Sequence, residues 1–207
     1  MTSRMIKSPV ARPVTLPAVG LVAAPLVWLS GWVIMRLAGS GPSLGWDVAH
    51  VLWIVSFVLF GAAAYGLFRL VGGTPVARVG LTVALVGAAT LVVQMVIDLV
   101  VGFRAADDAA MDRLYDTVFA TPGVEPVFFT VGPMLLFVGL LALVVHAAIR
   151  RTAAAWQASL VVLGIVLMVS GRFTDGALRL LEGLGALCLW LALAPLAPKA
   201  PSRRHPQ

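Results

Sequence analysis

Residues 79–103 read VGLTVALVGAATLVVQMVIDLVVGF, twenty-five positions that are almost all apolar, with Thr90, Gln94 and Asp98 at steps of four. On an α-helix that spacing puts the three polar groups on one face. An apolar run of this length with a single acid is a membrane span. Lipid offers no hydrogen-bond partner, so the polar stripe is expected to face other helices or a wet cavity. The remaining helices are therefore expected to pack around this one.

Composition agrees with that reading. The chain has 207 residues, of which 60% are hydrophobic and 12% charged, and its mean hydropathy is +1.00. Soluble domains average about 45–50% apolar and about 25% charged residues, so an ordinary soluble globule is excluded. The sequence pI of about 10.7 would point to nucleic acid if the basic residues formed a water-soluble patch. Instead they stand singly or in pairs at the ends of apolar runs, where they set membrane orientation. Cys188 is the one cysteine and lies in an apolar run. That excludes an intramolecular disulfide, a CxxC pair and a cysteine zinc site.

Outward from the central run, the spans fall at about 16–38, 48–71, 79–103, 126–149, 153–171 and 176–197. The first is too long for the roughly 7–15 apolar residues of a secretory signal, so it is retained as a span. A basic tail at 1–15 is expected to be disordered, and a second basic tail follows at 198–207. Trp46 and Trp53 are expected at interface depth. Between spans three and four, Met111, Leu114, Tyr115 and Val118 recur at helical spacing, with Asp108, Asp112 and Asp116 opposite. This predicts an amphipathic helix over 105–120, laid flat on the membrane surface. The expected fold is all-α: a polytopic membrane protein with six transmembrane helices in a compact bundle, plus that surface helix.

Charge sets the orientation. One side collects ten basic residues and the other five, so the ten-residue side, with both termini, is expected to be cytoplasmic in the plasma membrane. All nine acids lie on the opposite side or in the outer half of a span. A weak internal repeat accompanies this. Asp47 precedes Gly61 by 14 residues as Glu125 precedes Gly139, and Asp98 follows Gly87 by 11 as Asp175 follows Gly164. Spans two–three and four–five would then be related hairpins.

Three groups could carry chemistry. Asp98, with Gln94 and Thr90, sits roughly 28 Å along its helix, near the outer boundary; the bland reading is a stripe joining helices. Asp175, Arg179 and Glu182 fall at i, i+4 and i+7, so Arg179 is expected to pair with Asp175 and with Glu182, the deepest carboxylate in the chain. The bland reading here is a structural ion pair. His50, one turn after Asp47, could shuttle protons or bind a metal, but no second outer histidine completes a zinc set, so no metal is expected. His50 and His146 lie on opposite sides and could not ligate one haem. P-loop, GxSxG, HExxH and EF-hand patterns are absent, and no cofactor is expected. Gly61, Gly66, Gly183 and Gly185 allow close helix approach, without a GxxxG.

The sharpest functional expectation is an outward-facing polar pocket walled by spans two, three and six, with 105–120 as its lid. His50, Gln94, Asp98, Arg179 and Glu182 would line it. It would bind a small polar or cationic ligand or a lipid headgroup, since the acids there favour cations. The alternatives are a structural or assembly subunit of a membrane complex, and an intramembrane enzyme using Asp98 or Glu182 as acid or base on a lipid-like substrate. The partners expected are the lipid bilayer, a small polar ligand or lipid, and a membrane protein; nucleic acid is not among them.

Overall fold

The structure is a computed structural model and describes residues 14–39 and 41–200. Of the two basic tails, residues 1–13, where disorder is expected, and 201–207 lie outside the described residues. The described chain is helical throughout. In order come α1 (Leu16–Ala38), α2 (Leu44–Leu70), α3 (Pro75–Arg104), α4 (Asp108–Phe119), a π-helical turn (Glu125–Val131) running into α5 (Gly132–Ile149), α6 (Ala155–Arg172) and α7 (Leu180–Leu193). Tight 3₁₀ segments, Gly176–Arg179 and Ala194–Lys199, extend α7 at both ends. All of these except α4 belong to six helical stretches long and apolar enough to cross a membrane. Their outward faces carry exposed aliphatic side chains such as Val58, Val138 and Leu191. Water would penalise so continuous an apolar flank, whereas lipid does not.

Local chemistry starts each helix where the hydropathy changes. The side chains of Thr15, Ser43 and Thr74 accept from Ala18, Trp46 and Ala77 backbone N–H groups, and Pro17 and Pro75 occupy first-turn positions that need no donor. Asp107 caps α4 through a 2.7 Å bond from the Ala110 N–H. Gly39 at φ 85° and Gly72 at φ 77° reverse the chain after α1 and α2, in a backbone region costly for other residues.

The spanning helices form a closed ring. Each packs on the next, α7 closes on α1, and α2 touches α5 across the middle. The most extensive contacts are within the consecutive hairpins α1/α2, α3/α5 and α6/α7. Small residues make these crossings close. A Cβ on Gly87 would overlap the backbone of Leu136, one on Gly139 would overlap Ala84, and one on Gly164 would sit 2.8 Å from the Gly185 carbonyl oxygen. Dispersion between closely apposed backbones drives association where lipid removes the hydrophobic term. Of the glycines matched in the expected repeat, Gly87 and Gly164 each face the following span, α5 and α7, whereas Gly61 faces the following span and Gly139 the preceding one, in both cases α3.

α4 also departs from expectation. Its apolar stripe rests on protein, not on a lipid surface. Met111 is buried with Trp46 and Val101, and Leu114, Tyr115 and Val118 pack around them with Met35 and Ile97. The stripe specified a face, and the apolar ends of α1, α2 and α3 supply what covers it. α4 therefore lies across one end of the bundle. The acids gather at that same end: Asp47 and Glu182 in the first turns of α2 and α7, Asp98 towards the end of α3, Asp175 in the loop after α6, α4 with its cap Asp107, and Glu125.

Candidate functional site

Beneath α4, three elements bring polar groups together. Asp98, near the end of α3, is 5% exposed, and His50, in the second turn of α2, is 2% exposed. Tyr115 of α4 donates its hydroxyl to Asp98 Oδ1 at 2.7 Å. The other carboxylate oxygen, Oδ2, lies 3.7 Å from His50 Nε2. Trp46 locks the arrangement from behind. Its indole N–H donates to the Asp98 carbonyl at 3.2 Å, its ring lies 4.2 Å from the His50 ring, and its carbonyl is 2.7 Å from His50 Nδ1. Gly102 makes room for that indole, since a Cβ there would come within 2.6 Å of it.

The hydrogen bonds assign the imidazole. A carbonyl only accepts, so Nδ1 carries the proton given to Trp46. Nε2 then either presents a lone pair to the carboxylate or carries a second proton and pairs with it. Tyr115 stays a donor. Burial first, then the Asp98 charge and the hydrogen bond to it, hold its phenol above the ordinary tyrosine value. One turn deeper on α3, Gln94 is 7% exposed, and its side-chain oxygen is buried without a hydrogen-bond partner. Thr90, a further turn down, bonds back to the Gly87 carbonyl at 2.8 Å and packs where Gly132 leaves space. The stripe thus faces the bundle interior, and acceptors outnumber donors along it.

The five side chains expected to line one pocket are divided between two places. His50, Gln94 and Asp98 belong to the group under α4. Arg179 and Glu182 belong to the start of the last span, which packs on α1 and α6. Of the two pairs expected of Arg179, the one with Asp175 forms and the one with Glu182 does not. The tight 3₁₀ turn carries the Arg179 guanidinium back to the preceding loop, where it donates to the Thr174 carbonyl at 2.9 Å and to Asp175 at 3.1 Å. Glu182 is 7% exposed, against Gly171 and beside Trp32. Arg172, at the end of α6, is the cation whose charge reaches both Asp98 and Glu182.

Two members of the α4 group were not singled out by the sequence as site residues. Tyr115 belonged to the amphipathic stripe. Trp46 was expected at interface depth, but it is 8% exposed within the protein. At the opposite end the sequence reading also passed over Gln157. It bridges the Ala154 N–H and the Ala192 carbonyl, both at 2.8 Å, and so ties α6 to α7. Among the described residues no group of three or more His, Cys, Asp or Glu side chains converges. The Asp98–His50 pair therefore falls short of the usual ligand set of a transition metal. No family model, curated protein or solved structure matches this chain.

Proposed function

We propose that this is an integral membrane binding protein with a one-sided polar site beneath α4, and that the site takes a small cationic ligand presenting an amine. The observation that carries this is an under-satisfied set of acceptors. The Gln94 side-chain oxygen is buried with no hydrogen bond, and Asp98 Oδ2 has His50 Nε2 beside it at 3.7 Å, beyond hydrogen-bond reach. Unmatched buried acceptors cost free energy, and an ammonium supplies both the charge and the donors they lack. α4 is the lid, latched by Tyr115. By the positive-inside rule the α4 end faces outward, both termini are cytoplasmic, and the membrane is the plasma membrane. The ligand would then enter from outside, where the excess of acids draws cations.

A thermal-shift titration of the detergent-purified protein with a panel of primary amines and polyamines tests this. A ligand at a hundred times its Kd adds about 2.7 kcal/mol to the folded state. One amine class should raise the melting temperature of the wild type, act weakly on Gln94→Leu, and have no effect on Asp98→Asn. A shift that persists in Asp98→Asn, or none from any amine, refutes the reading and leaves a structural subunit without its own ligand.

A further inference from the structure

On the flank of the bundle, away from the α4 group, a groove of about 230 Å³ runs between the end of α1 and the start of the last span. Its walls are Trp32, Val33, Leu37 and Leu180, and Arg36 and Arg179 also line it. The aliphatic walls are turned outward, Leu37 at 83% and Leu180 at 58% exposed. The groove therefore opens towards lipid. Arg36 lies over the Trp32 ring at 5.8 Å and makes no ion pair among the described residues. Arg179 pairs with Asp175, whose side chain is 96% exposed, an arrangement that contributes little and releases readily. The Trp32 indole N–H is buried and is directed to the Glu182 carboxylate at a geometry too poor for a full hydrogen bond. The groove lining carries two cations, Arg36 and Arg179, and no acid, at an end of the chain that is otherwise acidic.

We propose that this groove holds one anionic glycerophospholipid. Arg36 and Arg179 take its phosphodiester, and the upper part of one acyl chain lies along Val33, Leu37 and Leu180. Guanidinium groups match phosphate oxygens with paired, charge-assisted hydrogen bonds. Charge complementarity sets the headgroup: two guanidinium groups in a lining without an acid favour a net anion, whereas a zwitterionic lipid brings its own cation. The apolar walls select a lipid over free phosphate, and two arginines at the rim would be poorly met by an apolar helix of a protein partner. The groove shares no lining residue with the amine site under α4.

Native mass spectrometry of the full chain, released from detergent, tests the assignment. The probes are phosphatidylglycerol, phosphatidylcholine and sn-glycerol 3-phosphate. The wild type should retain one phosphatidylglycerol at least about tenfold better than phosphatidylcholine, the scale of one charge-assisted bond, and should not retain glycerol phosphate. Arg36→Gln with Arg179→Gln should lower phosphatidylglycerol retention to the phosphatidylcholine level. Val33→Trp, which fills the groove without changing charge on an outward-facing wall, should abolish retention while the helical melt is kept. If the arginine pair fails to fold, Val33→Trp decides. Arg150→Gln with Arg151→Gln, at the other end of the bundle, should retain lipid as the wild type does. Equal retention of the two lipids, retention of glycerol phosphate alone, or undiminished binding in Val33→Trp would overturn the proposal.

Discussion

Replacing Tyr115 by Phe removes one oxygen atom and tests how α4 is held. The ring and its packing against Phe119, 5.7 Å away, remain in Phe, so only the bond to Asp98 is lost. That bond is 2.7 Å long and ends on a carboxylate 5% exposed. A hydrogen bond contributes about 1–3 kcal/mol net, the upper part of that range when the acceptor is charged. If α4 lifts as a unit, its opening free energy falls by this amount, and the open population rises about 5- to 140-fold. Hydrogen exchange of a peptide within Asp108–Phe119 reads that population directly, with α5 peptides as the internal control. Alkaline titration adds a second arm. The Tyr115 phenol ionises from its ordinary value of 10.0 in the opened chain and from a higher value in the folded one. The folded state therefore binds the proton more tightly. Its stabilisation is complete below pH 10 and is lost as pH rises towards the folded value. Exchange of α4 should accelerate above pH 10 in the wild type, and Tyr115→Phe should flatten that dependence. Unchanged α4 exchange in Tyr115→Phe at neutral pH would show that the hydroxyl does not latch the helix.

Other positions separate the arrangement from simple hydropathy. Gly87→Ala should lower the melting temperature in detergent by the equivalent of about 1–3 kcal/mol, because the new Cβ meets the Leu136 backbone, which cannot rotate away. Gly61→Ala, whose Cβ would stand 3.4 Å from the flexible tip of Leu85, should be neutral or stabilising by up to about 1 kcal/mol through helix propensity. Equal effects at the two glycines would contradict the α3/α5 crossing. Gln157→Leu leaves the Ala192 carbonyl and the Ala154 N–H without their side-chain partner and should cost about 1–3 kcal/mol by chemical denaturation in micelles. In a Cys188→Ala background, impermeant thiol reagents applied to whole cells should label Asp112→Cys and not Ser202→Cys. Labelling of both from one side would disprove six crossings.

The spans were legible because transfer into lipid is governed by side-chain polarity summed over about 20 residues, a property of local sequence. The Thr90–Gln94–Asp98 stripe was legible for a related reason, since helical periodicity places side chains on a face before any tertiary contact exists. Periodicity does not say what meets that face. Met111, Leu114, Tyr115 and Val118 suit a lipid surface or a protein end equally well, and the choice depended on Trp46 and Val101 from distant parts of the chain. Trp46 shows the same limit, because an aromatic near a span end reads as an interface anchor until a specific carbonyl, here that of Asp98, accepts its N–H.

Arg179 marks the boundary from the other direction. Helical spacing put it within reach of both Asp175 and Glu182, and the fold, with a 3₁₀ turn at Gly176–Arg179, set its hydrogen bonds to Thr174 and Asp175. Local sequence therefore specified six membrane-length helices, an acidic end and which polar residues turn inward, because each follows from polarity and period over one or two dozen residues. The fold alone set which inward residues meet: Asp98 with Tyr115 and His50, Gln157 with Ala192, and Arg36 beside the groove that Arg179 also lines. Those contacts join residues from 17 to 143 positions apart in the chain. Such distances are closed by the ring of helix packing, and no pattern along the chain carries that information.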